Sequence, residues 1–298
     1  MKDPIRKYFP LFVLPVLVCF CLSFIWPFIQ GVYLSFCKFF IPKDAEFTGF
    51  SNYVTVFRDT GFWHSFLITF LYALASIICV NVPAFFIAYF LKEKFRGVTL
   101  FRASFFLPNL IGGVVLGSIW SMLFDGILSR FGTYLTADPV FGFWGLVILV
   151  AWQQIGYMMI IYIAGFTSLP EEMLEASQID GAGRLQRMTK IIIPNMKASI
   201  AICTFLTLTN SFKLFDQNLA LTGGQPVQTL ENGMQLKTTE FLAMNIYSTY
   251  QINSHWHGTA QAKAVIFFIL VAAFGALQMY ASRDKKEKKV RSKKEKRS

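Results

Sequence analysis

Charge is scarce in this chain. Of its 298 residues only 15% are Asp, Glu, Lys or Arg, and 54% are hydrophobic, whereas soluble domains carry about a quarter charged residues. Acids are scarcer than bases, 17 against 28. The five cysteines, Cys19, Cys21, Cys37, Cys79 and Cys203, show no CxxC spacing and lie in or at the end of apolar segments. They read as small packing residues, which excludes a disulfide frame and a thiolate metal site. Histidine is limited to His64, His255 and His257. The His255-Trp256-His257 run has too few further ligands for a metal centre and reads as part of a solvated loop. No GxxxxGK[ST] phosphate loop is present, so the chain by itself is not expected to bind or hydrolyse ATP. No nucleophile–base set or metal-ligand spacing marks an enzyme. No repeat recurs at a fixed period, and the only biased segment is a basic tail.

What the chain does have is long apolar runs. Crossing a hydrocarbon layer about 30 Å thick takes about 20 apolar helical residues. Six stretches meet that length: Leu11–Phe36, Trp63–Leu91, Ala103–Phe124, Gly142–Ser168, Ala198–Ala220 and Ala260–Ser282. They are too continuously apolar for the alternating strands of a barrel. The expectation is an all-α membrane protein of six transmembrane helices. The first run is too long for a signal-peptide core and lacks a small-residue cleavage site, so it reads as a retained helix.

Basic residues favour the cytoplasmic side of membrane helices. Here 21 of the 28 fall in alternate connections: Lys2, Arg6 and Lys7; Lys92, Lys94, Arg96 and Arg102; Arg184, Arg187, Lys190 and Lys197; and ten in the tail 283–298. Both termini and the connection between the fourth and fifth stretches are therefore expected in the cytoplasm. The organisation expected is a cytoplasmic N-terminus (1–10), a six-helix membrane domain (11–282) and a basic cytoplasmic tail (283–298). That tail reads as a juxtamembrane segment drawn to anionic lipid, with no role in nucleic-acid binding.

Within the spans, Pro15 and Pro27 permit a kink in the first. Phe50, Tyr53, Val54 and Phe57 recur at helical spacing, as in a short helix lying in the interface. Gly113 and Gly117 form a small-xxx-small pair that lets another helix approach. The connection 221–258 is the longest loop and opens on the turn signal Thr222-Gly223-Gly224-Gln225-Pro226.

The connection at 169–197 is a polar insert between two apolar spans. Ser168 is placed to cap a helix over 170–178 in a capping box with Glu171, with Pro170 in the first turn. Asp180-Gly181-Ala182-Gly183 then turns the chain. Residues 184–193 are helical again, with Leu185, Met188, Ile191 and Ile192 on one face. A short helix, a sharp turn and a second helix make a docking element that a partner's groove can receive.

These residues carry a resemblance. Glu175-Ala176-Ser177, three residues, Gly181, nine residues, then Ile191-Ile192-Ile193-Pro194 resembles the EAA motif of permease subunits in binding-protein-dependent ABC importers. Ser177 stands for the usual second Ala, and Ile193 for Leu. Phe212-Lys213-Leu214-Phe215-Asp216 leading to Leu221-Thr222-Gly223-Gly224-Gln225-Pro226 is similar to a segment of the carbohydrate branch. So are Phe101-Arg102-Ala103 with Phe105-Phe106-Leu107-Pro108, and Gly49-Phe50-Ser51-Asn52-Tyr53. The outer loop around 231–257 departs most from that pattern.

The resemblance implies the type I importer permease fold in a bacterial plasma membrane. It also implies a second, homologous permease, two ATP-binding subunits that hold ATP and magnesium, and an extracytoplasmic sugar-binding protein. No cofactor is expected on this chain. The coupling contacts it implies are Glu175, Ala176, Ser177, Asp180, Gly181, Ala182 and Pro194, with Glu175 either pairing with a basic group of the motor or capping local backbone. A sugar route needs hydroxyl-pairing and flat aromatic groups at membrane depth. The candidates are Trp152, Gln153, Gln154 and Tyr157 on the fourth span and Asn210, Ser211 and Asp216 on the fifth, each weighed against ordinary helix packing. Asn81 and Asn109 are weaker candidates. Lys213 and Asp216, three apart, are placed to pair with each other. A permease of the same fold for a polyamine, phosphate or glycerol phosphate stays open, as does a secondary carrier, although buried carboxylates on broken inverted repeats are not visible.

Overall fold

The apolar stretches are helices, but not six uninterrupted ones. The structure is a computed structural model and describes residues 4–93, 95–231, 233–252 and 257–282. In chain order the elements are α1 (Pro4–Phe20), a π turn (Cys21–Ile25), α2 (Trp26–Leu34), the two-residue strands β1 (Cys37–Lys38) and β2 (Glu46–Phe47), α3 (Ser51–Arg58), α4 (Thr60–Leu91), α5 (Val98–Phe106), α6 (Gly113–Leu128) and α7 (Pro139–Thr167). There follow α8 (Glu171–Ile179), α9 (Arg184–Arg187), a second π turn (Met188–Ile192), α10 (Ile193–Asn195), α11 (Lys197–Phe212), α12 (Asp216–Leu221), the hairpin β3 (Val227–Thr229) and β4 (Gln235–Lys237), α13 (Leu242–Ile252) and α14 (His257–Ser282). Among the described residues, five helical segments are long and apolar enough to span a membrane. A sixth qualifies only as a bent pair, Arg184–Asn195 with Lys197–Phe212, which meet at 71°.

Both π turns end two residues before a proline, Pro27 and Pro194. Proline has no N–H for the carbonyl four residues back, and its ring crowds that carbonyl. The helix widens by one residue there instead of breaking. Proline acts differently at Pro108. The expected third span, continuous from Ala103, is interrupted by the 3₁₀ turn Leu107–Leu110, and α6 starts afresh at Gly113 after Gly112 in extended conformation. The fifth stretch, expected unbroken over 198–220, stops at Phe212 and resumes as α12 at Asp216.

Contacts group the chain into two units, Met1–Phe62 with Asn245–Ile269, and Trp63–Met244 with Leu270–Ser298. In the first unit the span Leu11–Leu34 buries none of its apolar window within this chain, so lipid or another polypeptide must cover it. Phe28 of α2 meets Phe268 edge-on at 4.9 Å. Asn52 of α3 donates to Ser35 O and Cys37 O, both at 2.9 Å. Of the four residues at helical spacing, Phe50, Val54 and Phe57 are exposed, whereas Tyr53 is half-buried with its hydroxyl 2.6 Å from Ser35 Oγ. His257 stacks on Tyr250 at 4.1 Å between ring centroids, with its Nδ1 3.1 Å from Phe40 O. His255 and Trp256 lie outside the described residues. The buried cation here is Lys263, 2% exposed. Its Nζ donates to Asp59 Oδ2 at 2.6 Å, and to Asn245 Oδ1 and Thr249 Oγ1 at 2.8 Å each. All three of its N–H groups are thus used, which offsets its desolvation.

In the second unit α7 is the central helix. It buries residues along its whole length, among them Leu146, Val150, Met158, Tyr162 and Phe166. Two apolar clusters form against it, one with Val80, Ala84 and Phe85 of α4 and Cys203 of α11, the other with Tyr72 of α4, Leu116 of α6 and Leu221 of α12. Small residues set the distances. A Cβ on Gly156 would fall 1.9 Å from Phe105 O, so α5 crosses α7 backbone to backbone. Gly113 and Gly117, the small-xxx-small pair, form the seam that receives α12, where an added Cβ would lie 2.8 Å from Asp216 Cβ and 2.6 Å from Ala220 Cβ. Arg102 donates through Nη2 to Leu91 O and caps the negative end of α4.

Candidate functional site: an elbow and a polar seam

The insert between α7 and α11 forms an elbow. Ser168 does not cap α8 as expected. It closes α7, with its Oγ donating to Gly165 O at 2.7 Å. The N-cap of α8 is Pro170, whose extended backbone starts the helix, and Glu171 and Glu172 occupy its positive first turn. At the other end Asp180 N–H donates to Ala176 O at 2.9 Å and Ala182 N–H to Ser177 O at 3.0 Å. Gly181 closes the turn at φ +77°, a conformation that costs other residues strain. Nothing lies within 4 Å of a Cβ built there, so the backbone angle, not space, requires glycine.

One face of the elbow is fastened to the spans. Leu169, Ile192 and Met196 are buried in the cluster of α7 and α11, with Leu174 and Met188 packed on them. Ser177 belongs to this inner face, because it is buried and its Oγ donates to Leu174 O at 2.7 Å. Pro194 is half-buried where the chain bends into α11. The other face is open. Glu175, Ala176, Asp180 and Gly181 are exposed, and Ala182 is half-exposed. Glu175 makes no ion pair among the described residues and caps no backbone group. Two large apolar side chains flank the turn uncovered by the described residues, Ile179 at 87% and Leu185 at 76% exposure. The sequence spacing places Leu185 on one face with Met188, Ile191 and Ile192, but of these Ile192 is buried and Leu185 is not. The π turn at 188–192 shifts the helical phase and leaves it outside.

The polar residues of the spans divide by partner. Gln153, midway along α7, is buried. Its Nε2 donates to Ile111 O at 3.1 Å, a carbonyl freed by the break before α6, and its Oε1 accepts from Gln217 Nε2 at 2.8 Å. Ser211 is buried and donates to Thr207 O at 2.8 Å. Asn81 links three helices: Tyr162 OH donates to its Oδ1 and its Nδ2 donates to Thr207 Oγ1, each at 3.0 Å. These three are satisfied by the backbone or by Gln217, Tyr162 and Thr207. Gln154, Tyr157 and Asn210 remain half-exposed and Asp216 exposed. Trp152 is exposed on α7 and packs against Trp120 of α6 at 5.5 Å. Lys213 and Asp216 form no pair, because α11 ends at Phe212, α12 starts at Asp216, and the two share no helix face. Sequence reasoning missed Asn218. Fully buried, it donates to Thr222 Oγ1 at 3.0 Å and Thr239 O at 2.8 Å and accepts from Phe241 N–H at 3.1 Å, holding the turn after α12.

The model of one protein family, "Binding-protein-dependent transport system inner membrane component", matches residues 62–287. The chain is 37% identical over 279 residues to the probable starch degradation products transport system permease AmyD of Thermoanaerobacterium thermosulfurigenes, covering 91% of this chain and 92% of that one. It is 29% identical to the multiple sugar-binding transport system permease MsmF of Streptococcus mutans, covering 95% and 98%. Among solved structures, a chain of a bacterial ABC transporter involved in import of the acidic polysaccharide alginate superposes with TM-score 0.77 at 19% identity, covering 94% of this chain and 96% of that one. The last likeness establishes the fold.

Proposed function

Because this chain belongs to the family of binding-protein-dependent transport system inner membrane components, we propose that it is the permease subunit of an ATP-driven sugar importer, taking solutes in the oligosaccharide range. It forms half of the translocation pathway, and a second, homologous permease forms the other half. Two ATP-binding subunits carry ATP and magnesium and perform the hydrolysis. An extracytoplasmic sugar-binding protein delivers the solute. The chain lies in the plasma membrane with both termini in the cytoplasm, which puts the elbow (169–197) and the basic tail on the motor's side. Residues 11–282 then make up the membrane domain.

The observation that carries this reading is the two-faced elbow. Its inner face is fixed among α7 and α11 by Leu169, Ile192 and Met196, while Glu175, Ala176, Asp180, Ile179 and Leu185 on its outer face stay exposed among the described residues. A rigid part anchored on one side and bare on the other transmits displacement. When ATP closes the motor pair, the elbow moves with it and tilts the ends of two spans. ATP shifts the equilibrium only by binding the two states differently. The carbohydrate branch is supported by AmyD and MsmF, whose names record starch products and multiple sugars.

The test is co-purification followed by coupling. The tagged chain is expected to bring down an ATPase and a second permease, and sugar-loaded binding protein is expected to stimulate ATP hydrolysis. Gly181→Val, which forces a β-branched residue to φ +77°, is expected to reduce that stimulation at least tenfold at an unchanged amount of permease. Normal stimulation in the variant removes the elbow from the mechanism.

A further inference from the structure

The turn between α4 and α5 gathers three bases, half-buried Lys92 and Arg102 and exposed Arg96, beside one exposed acid, Glu93. None of the four forms an ion pair among the described residues. Neutral groups hold two of the bases. Arg102 gives Nη2 to Leu91 O, and Lys92 Nζ lies 4.6 Å from the centroid of the Tyr89 ring and 5.6 Å from that of Phe166. A carbonyl and two ring faces keep these cations in place without cancelling their charge.

Depth follows from α4. Its 32 residues extend about 48 Å at ~1.5 Å per residue, which exceeds the ~30 Å hydrocarbon layer and matches the ~40–45 Å that includes both headgroup regions. Leu91, its last residue, therefore lies at headgroup level, and Lys92 follows it. Large apolar side chains surround the bases and are exposed: Phe90 at the end of α4, Phe95 in the turn, and Leu100 and Phe101 at the start of α5. Phe95 and Phe101 pack on each other at 6.1 Å between centroids. A free anion would match the cations alone. Cations set between apolar groups at this depth match a charged headgroup together with the chains beneath it. We propose that the turn is a binding site for one anionic glycerophospholipid, whose phosphate is held by Lys92 and Arg102 with Arg96 at the rim, and whose acyl chains lie along Phe90, Leu100 and Phe101. The headgroup sits beside the end of α7 from which the elbow leaves, because Leu91, Phe166 and Leu169 share one buried cluster on which Val98 packs. The site requires only that α4 span the membrane, and it stands whatever solute the permease carries.

The test uses the solubilised, complete transporter. It is incubated with phosphatidylglycerol that carries, near the carbonyl end of one acyl chain, a diazirine that loses N2 on irradiation and inserts into neighbouring C–H bonds. Labelled peptides are then identified by mass spectrometry. Label is expected within residues 89–102, competed by unlabelled phosphatidylglycerol but not by the same amount of phosphatidylcholine or by excess inorganic phosphate. Lys92→Gln combined with Arg96→Gln leaves the Arg102 cap of α4 in place and is expected to lower this label about tenfold or more at equal amounts of complex. Arg130→Gln, an exposed base away from the turn, is expected to leave it unchanged. An equal fall in both variants, or equal competition by phosphatidylcholine, overturns the headgroup site and leaves an unselective lipid contact. Competition by inorganic phosphate overturns the lipid in favour of a free anion. Absence of label from 89–102 overturns it as well, since another polypeptide then covers the turn. None of these readouts uses sugar or ATP, so their failure is distinct from failure of the importer reading.

Discussion

α7 and its neighbours α5–α6 and α11–α12 differ in continuity more than in apolarity. α7 runs 29 residues without interruption, with a proline only in its first position. Its small residues recede so that others can approach, most closely at Gly156 under the Phe105 carbonyl. The other two stretches are broken, and a single α7 side chain, Gln153, meets the Ile111 carbonyl freed at one break and the Gln217 side chain just past the other. An intact helix satisfies its own backbone and can act as scaffold. A broken one leaves polar groups that need a partner or water. The unbroken helix therefore holds position, and the exposed charges collect at the broken ones.

Substitutions can break or sharpen this contrast. The largest effect is expected from Gly156→Val, where the added carbons meet backbone that cannot rotate away. A cost at the upper end of overpacking, at least about 3 kcal/mol, should deplete the chain from membranes several-fold, as read by immunoblot against Gly126→Ala, a site with open space. Gln153→Leu keeps the volume but strands Ile111 O and the Gln217 amide. About 2 kcal/mol of stability is expected to be lost, seen as earlier thermal unfolding of the purified complex. At the far end of α7, Ile179→Ala with Leu185→Ala removes apolar anchors without touching the inner face of the elbow. Affinity for the ATP-binding subunits should drop about tenfold or more, measured by the ATPase concentration needed for reassembly. The smallest effect is expected from Asn210→Ala. This half-exposed residue on α11 should alter uptake by no more than severalfold and leave thermal stability unchanged within about 0.5 kcal/mol. A large stability loss there would assign Asn210 to packing.

The prolines show how far the fold was legible. Each is visible in the sequence, yet their consequences differ. Pro83 sits inside an unbroken α4, Pro27 and Pro194 follow π turns, and Pro108 lies in a true break. The missing N–H is the same in every case. Whether the freed carbonyl is met by a widened turn or by a distant side chain depends on neighbours that sequence spacing does not reveal. The elbow was readable as helix, turn and helix because glycine chemistry and polarity are local. Its facing was only partly readable. Ser177 turns inward because α8 packs Leu174 on the cluster of α7 and α11, and Leu185 turns outward where the π turn at 188–192 changes the phase on which a 3.6-residue count depends. Lys213 and Asp216 read as an i,i+3 pair only while one helix was assumed to carry both.

The sequence by itself determined that the chain enters a membrane several times, that the segments are helical, and that a polar elbow with a glycine turn lies between two of them. Those properties follow from segment length, apolar content and local backbone preference, which act within a few residues. Only the tertiary structure decided where the helices break, which face of the elbow is bare, and which polar groups are spent on packing. Each of these turns on a partner far along the chain, such as Gln153 for Ile111 or Phe105 for Gly156, and a hydrogen bond or a close approach exists only once both sides are in place.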